Sequence, residues 1–147
     1  MAERTRGYAH RVDITADVKA VWHALTDQDS LTKWCSPEAR IRARPGGSFC
    51  ASVDRVTELD AHIDVFDPAR RLRLIYLPSK ALPTGEATMI DDFILEPSKE
   101  VTILRLLGSG FPDGPEWEAQ YRRLRTGWER AMARLKVYVE KIEREAQ

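Results

Sequence analysis

Residues 115–142 read PEWEAQYRRLRTGWERAMARLKVYVEKI, and this stretch decides the fold. Trp117, Tyr121, Leu124, Trp128, Met132, Leu135, Val139 and Ile142 recur at steps of three and four, which places them on one helix face. Pro115 suits a first helical position, and Glu116 and Glu118 suit the positive end of the helix dipole. The pattern predicts one helix of about 30 residues, roughly 45 Å long. A coiled coil would carry aliphatic residues where this seam carries the large rings of Trp117, Tyr121 and Trp128. The face is therefore expected to pack on a sheet. Gly127, mid-helix, costs about 1 kcal/mol relative to alanine; it reads either as a neutral surface glycine or as a place where another backbone comes close.

The segments before this helix supply the sheet. Glu38–Arg44 alternates Arg40, Arg42 and Arg44 against Ala39, Ile41 and Ala43; Pro45-Gly46-Gly47 reads as a turn, and Ser48–Val53 as its hairpin partner. Further strands are expected at Thr57–Phe66, Arg71–Leu77, Thr88–Leu95 and Val101–Leu107, with a longer loop over Pro78–Gly85. Short connections imply antiparallel pairing. Towards the N-terminus, residues 8–14 read as a first strand. Val18, Val21, Trp22 and Leu25 mark a helix over Asp17–Thr26, and Leu31 and Trp34 a second over Asp29–Trp34, ended by Ser36-Pro37. The order is strand, two short helices, six antiparallel strands and a long terminal helix. A strongly curved sheet can wrap that helix but is too large for it to fill, so a pocket between them is expected.

Composition narrows the classes. The 147 residues suit one domain spanning 1–147, which buries roughly 70% of its unfolded surface without needing a disulfide or metal staple. Hydrophobic residues make up 43% and charged residues 31%, which argues against disorder. The charge is balanced at 23 basic and 23 acidic side chains, +2 over residues 1–44, −4 over 45–114 and +2 over 115–147. No nucleic-acid partner is expected from such a balance. No apolar run reaches the roughly 18 residues of a membrane span. Met1–Arg6 has no apolar segment behind it, so no secretory signal is read and the chain is expected in the cytosol. Cys35 and Cys50 fit no metal or redox spacing and are expected as small core or half-buried residues.

Three stretches carry a resemblance: Val21-Trp22-His23-Ala24-Leu25-Thr26-Asp27 with Leu31-Thr32-Lys33-Trp34; Arg44-Pro45-Gly46-Gly47-Ser48-Phe49; and Ser109-Gly110-Phe111-Pro112-Asp113 with Gly127-Trp128 and Leu135-Lys136-Val137-Tyr138-Val139. In this order the chain resembles the START/SRPBCC superfamily, and within it the group named for the activator of the heat shock protein 90 ATPase. The resemblance implies an α+β, helix-grip fold like that of the birch-pollen allergen, a curved antiparallel sheet wrapped around the C-terminal helix. It implies a small apolar ligand or a chaperone partner. It brings no catalytic signature, so no catalytic residue is carried over. Cys35-Ser36 departs from the tryptophan or glycine usual after the position of Trp34, which alters the pocket mouth.

Alternation selects the candidate cavity residues. Leu72, Leu74 and Tyr76 are expected inward, as are Met89, Asp91, Phe93 and Leu95; Val101–Leu107 is taken with Thr102, Leu104 and Leu106 inward. Thr57–Phe66 is open between Ala61, Ile63 and Val65 inward, or His62, Asp64 and Phe66. Trp34 beside the pocket mouth, Phe49, and Trp128 with Met132 on the helix complete the set. His62, Asp64, Asp91 and Tyr76 would make a polar cluster for acid–base work if all faced inward. The competing reading puts His62 and Asp64 in solvent and makes Asp91-Asp92 a strand-edge pair. His10 and His23 are isolated, no metal motif occurs, and no cofactor is expected. Ser109-Gly110-Phe111 lacks a nucleophile elbow and reads as a turn, with Phe111 beneath the helix start.

Three functions remain: a binding module for a small apolar molecule; an enzyme on the same scaffold, a cyclase or hydrolase of an apolar substrate; or a protein that docks a chaperone or a second copy of itself, through exposed Ile103 and Leu107.

Overall fold

The alternating middle of the sequence forms strands and the periodic end forms a helix. The computed structural model describes residues 4–78 and 88–146. Its elements are β1 (Thr5–Ile14), α1 (Val18–Thr26), α2 (Gln28–Trp34), β2 (Arg40–Ile41), β3 (Ser48–Ala51), β4 (Leu59–Asp67), β5 (Arg71–Tyr76), β6 (Ile90–Ser98), β7 (Val101–Pro112), a 3₁₀ turn at Pro115–Trp117 and α3 (Glu118–Glu145). The seven strands form one antiparallel sheet in the order β1-β7-β6-β5-β4-β3-β2. It is not closed, and α3 lies against one face: this is the helix-grip architecture. The expected loop over Pro78–Gly85 lies outside the described residues from position 79 onward.

One stripe of α3 is buried: Tyr121, Leu124, Gly127, Trp128, Ala131, Met132, Leu135 and Val139. Opposite it, Ile63, Leu72, Leu74, Leu104 and Leu106 are almost wholly shielded from water. Burial of this kind stabilises by roughly 25 cal/mol per Å² of apolar surface. The helix runs beside edge strand β1 and is tied to it along its length. The Tyr121 hydroxyl donates to the Gly7 carbonyl, His10 Nε2 meets the Arg125 carbonyl, Lys136 Nζ donates to the Asp13 carbonyl, and the Thr15 amide donates to Glu140. Gly127 is the close-approach glycine: a Cβ there would lie 2.8 Å from the Val53 carbonyl oxygen.

Three local expectations change. The seven-residue strand at Glu38–Arg44 shrinks to Arg40–Ile41 at the sheet edge, because the Gln28 side chain takes the Ala39 carbonyl and the Ile41 amide. Ser109-Gly110-Phe111 is not a turn: β7 runs through it to Pro112, with Gly110 at φ +86° and Phe111 buried against Tyr8 and Tyr121. Asp91-Asp92 does not sit on an edge strand, since β6 pairs on both sides.

Candidate functional site

The chemistry inside the apolar layer centres on Asp91. Alternation along β6 turns it inward with Phe93 and Leu95 while Asp92 faces out. Asp91 pairs in register with Gly108 of β7, and Gly108 pairs with Tyr8 of β1. Because position 108 has no side chain, the Tyr8 ring lies across it; a Cβ there would sit 2.4 Å from the ring. Tyr8 thus reaches over one strand, and its hydroxyl donates to Asp91 Oδ1 at 2.6 Å.

Burial pushes the Asp91 carboxyl up to about 6, against the Tyr8 hydrogen bond and the nearby Tyr76 and Trp128 polar groups, which hold it down. Tyr76 and Trp128 approach the same carboxyl without closing a hydrogen bond: the Tyr76 hydroxyl and the Trp128 Nε1 are buried and have no partner. A buried donor left unpaired costs ~1–3 kcal/mol, and the one acceptor these two donors face is the Asp91 carboxyl, which both help to hold down. The pKa values of Tyr8 and Tyr76 are both raised, first by burial and then by Asp91.

A cleft opens at one end of the layer. It measures about 630 Å³ and lies where α2, β3 and α3 meet, with Trp34, Cys35, Ala51, Val53, Val56 and Arg134 among its walls. Trp34 is fixed by its Nε1 donating to the Ala24 carbonyl at 2.8 Å. Arg134 Nε donates to the Trp34 carbonyl at 2.9 Å. The buried Cys35 thiol is in the cleft wall, whereas Tyr76, Asp91 and Trp128 do not line it. The Cys35 pKa is pushed up to about 12 by burial, and that of half-buried Cys50 to about 11.

The interior holds most of the sequence candidates. Phe49, Tyr76, Met89, Asp91, Phe93 and Leu104 are buried on the inner sheet face. Trp128 and Met132 are buried on α3, and Trp128 meets Phe93 edge-on at 5.3 Å. Trp34 is buried at the cleft. His62 is corrected. It lies exposed on the outer face, and so does Asp64, because Ala61 and Ile63 take the inward positions. A bulge between Ile63 and Val65 then reverses the parity, so Phe66 packs edge-on against Trp22. The first reading of this strand holds at Ala61 and Ile63, and of the second only Phe66 turns inward.

The residue that sequence reasoning missed is Tyr8. A mid-strand glycine at 108 signals that something else must occupy its place, but the partner lies 83 positions from Asp91. On the outer face, Asp92 is shared by Arg71 at 2.6 Å and Arg73 at 3.3 Å, and Arg105 pairs with Glu96. Leu107 stands partly exposed among these ion pairs, and Ile103 is half-buried. Among the described residues no group of three or more His, Cys, Asp or Glu side chains comes together as a metal site. No described helix is long and apolar enough to cross a membrane.

Residues 15–140 match the profile of the activator of Hsp90 ATPase homolog 1-like protein family. No curated protein sequence matches the chain. Among solved structures, the protein MLL2253 from Mesorhizobium loti shares 22% identity and a TM-score of 0.79, over 92% of this chain and 98% of that one. The Aha1 dimer from Colwellia psychrerythraea shares 20% identity and a TM-score of 0.77, over 92% and 96%. CalU16 from Micromonospora echinospora shares 23% identity and a TM-score of 0.71, over 92% and 74%. These likenesses are of fold.

Proposed function

Since the chain belongs to the family of activator of Hsp90 ATPase homolog 1-like proteins, we propose that it is a binding module for a small, mostly apolar molecule held between the sheet and α3. The observation that carries this reading is the pair of buried, unpartnered donors, Tyr76 Oη–H and Trp128 Nε1–H, beside Asp91. Cys35, in the wall of the cleft, interacts electrostatically with Tyr76. The ligand's apolar body occupies the cleft against Trp34, Ala51 and Val53, and an oxygen acceptor reaches past Cys35 to the two donors. Burial of the body supplies affinity at ~25 cal/mol per Å², and the acceptor sets orientation. Two free thiols suit a reducing compartment such as the cytosol.

The test is a thermal-shift and tryptophan-fluorescence screen with neutral apolar alcohols and ketones, such as 2-naphthol and 1-dodecanol, on the intact chain and on Tyr76→Phe. The variant loses an unpartnered buried hydroxyl, so its unliganded form gains stability while its affinity falls. A screen in which no compound shifts either signal, or equal affinity for the variant, overturns the reading.

A second reading, catalysis on an apolar substrate, keeps one favouring observation. Asp91, with its pKa pushed up to about 6, can exchange a proton near neutral pH. It loses His62 and Asp64, which face solvent. Turnover abolished by Asp91→Asn, with binding intact, would favour it. Docking of a second copy is consistent with the dimeric Aha1 neighbour, but exposed Leu107 pairs with Asp92, which Arg71 and Arg73 neutralise.

A further inference from the structure

Between β3 and β4 the chain turns on Asp54, whose carboxylate accepts from the amides of Val56 and Thr57 and from the hydroxyls of Thr57 and Ser52. This turn holds Arg55 in the left-handed region at φ +66°, a conformation that a non-glycine residue adopts at a cost. It also leaves Val56 71% exposed at the cleft wall. The turn lies against α3 where the Val53 carbonyl meets Gly127. Arg123, Arg130 and Arg134 share the helix stripe of Gly127, at steps of four, three and four. The result is a groove of about 600 Å³ lined by Arg55, Arg122, Arg123, Arg130 and Arg134 against the single carboxylate of Asp54.

Arg122 is paired with Glu118, and Arg134 with the Trp34 and Cys35 carbonyls. Arg55, Arg123 and Arg130 form no ion pair or side-chain hydrogen bond among the described residues. Like charges four apart on a helix, as at 130 and 134, repel, and this groove gathers five of them around one strained turn. Val53, Arg55 and Arg134 line both the groove and the apolar cleft, so the two are continuous.

We propose that the arginine groove is the subsite for an anionic group, carboxylate or phosphate, at the end of the apolar ligand. The natural ligand is then an amphipathic anion, and this inference rests on the binding reading above. The planar forks of Arg55, Arg123 and Arg130 suit two-point contact with either group. The apolar body lies between Trp34 and Val56. Of the charged residues that line the cleft but not the groove, Glu38 and Glu58 face Lys33 alone, whereas the groove adds Arg122, Arg123 and Arg130 against Asp54, so charge sets the direction of the ligand.

The test titrates the intact chain with four probes of equal chain length below their micelle concentrations: dodecanoate, dodecyl phosphate, 1-dodecanol and dodecyltrimethylammonium. At least one anion should bind about tenfold or more tighter than the alcohol, and the cation should bind more weakly than the alcohol. The tighter anion separates a carboxylate ligand from a phosphate one. Arg123→Ser and Arg130→Ser, which line the groove but not the cleft, should together erase the anion's advantage and leave the alcohol's affinity unchanged. Raising salt from 50 to 500 mM should weaken anion binding without any variant. If the alcohol binds as tightly as both anions, or the advantage survives the variant and the salt, the groove is a solvated helix face and only this inference falls. If none of the four binds, the binding reading falls with it.

Discussion

Replacing Asp91 with asparagine isolates the electrostatic consequence of burying a carboxyl beside Tyr8. The asparagine keeps the shape and an oxygen to accept from the Tyr8 hydroxyl, but it cannot ionise. In the unfolded chain the Asp91 carboxyl titrates near 3.8, whereas in the fold burial pushes it up to about 6. Well below pH 3.8 the carboxyl is protonated in both states, and no difference arises. Between pH 4 and 6 the unfolded chain releases its proton while the folded chain keeps it, so rising pH favours unfolding. The loss is ~1.4 kcal/mol per pH unit, reaching ~3 kcal/mol above pH 6. The contribution is therefore fully present below the unfolded pKa and gone once pH has passed the folded one. Urea unfolding followed by tryptophan fluorescence measures it, as the stability of Asp91→Asn minus that of the parent from pH 4 to 7.5. The subtraction removes other carboxylates that titrate in this range, such as Glu118 and Glu140, whose pKa values are lowered. Over this window the difference should rise by ~2.5 kcal/mol in favour of the variant, mostly between pH 4 and 6. A difference flat to within ~0.5 kcal/mol would refute a protonated, desolvated Asp91. A falling one would mean that the pocket stabilises the ionised form.

Three further outcomes are expected. Gly127→Ala should destabilise by ~1–3 kcal/mol despite a helix-propensity gain of ~1 kcal/mol, because its Cβ would press on the Val53 carbonyl; a higher melting temperature would contradict that contact. Gly108→Ala should displace the Tyr8 ring from Asp91, seen as a lost tyrosine near-ultraviolet signal and ~1–3 kcal/mol of stability; an unchanged spectrum would count against the bridge. Cys35 and Cys50, with thiol pKa values pushed up to about 12 and about 11, should react with iodoacetamide at pH 8 far more slowly than the urea-unfolded chain; equal rates would contradict their burial.

The candidate site was legible wherever local periodicity sufficed. Alternation alone places Tyr76, Met89, Asp91 and Phe93 on the buried face, as the structure does. The helix period does the same for Trp128 and Met132. It failed at His62, because the apolar set on β4 switches parity at the bulge after Ile63 and a two-residue period cannot see an inserted residue. It also overextended β2, where a glutamine 13 positions upstream of Ile41 takes the backbone groups a longer strand would have paired.

Element types, their order and the apolar stripe of α3 were decided by the sequence, because each depends on neighbours a few residues apart. Strand order was decided only in three dimensions. It brings Tyr8 beside Gly108 and so over Asp91, and it leaves Tyr76 and Trp128 facing one carboxyl without a partner. The arginine groove likewise exists only because a turn on Asp54 folds back onto Gly127. Such contacts join residues tens of positions apart, and no period along the chain encodes which of them meet.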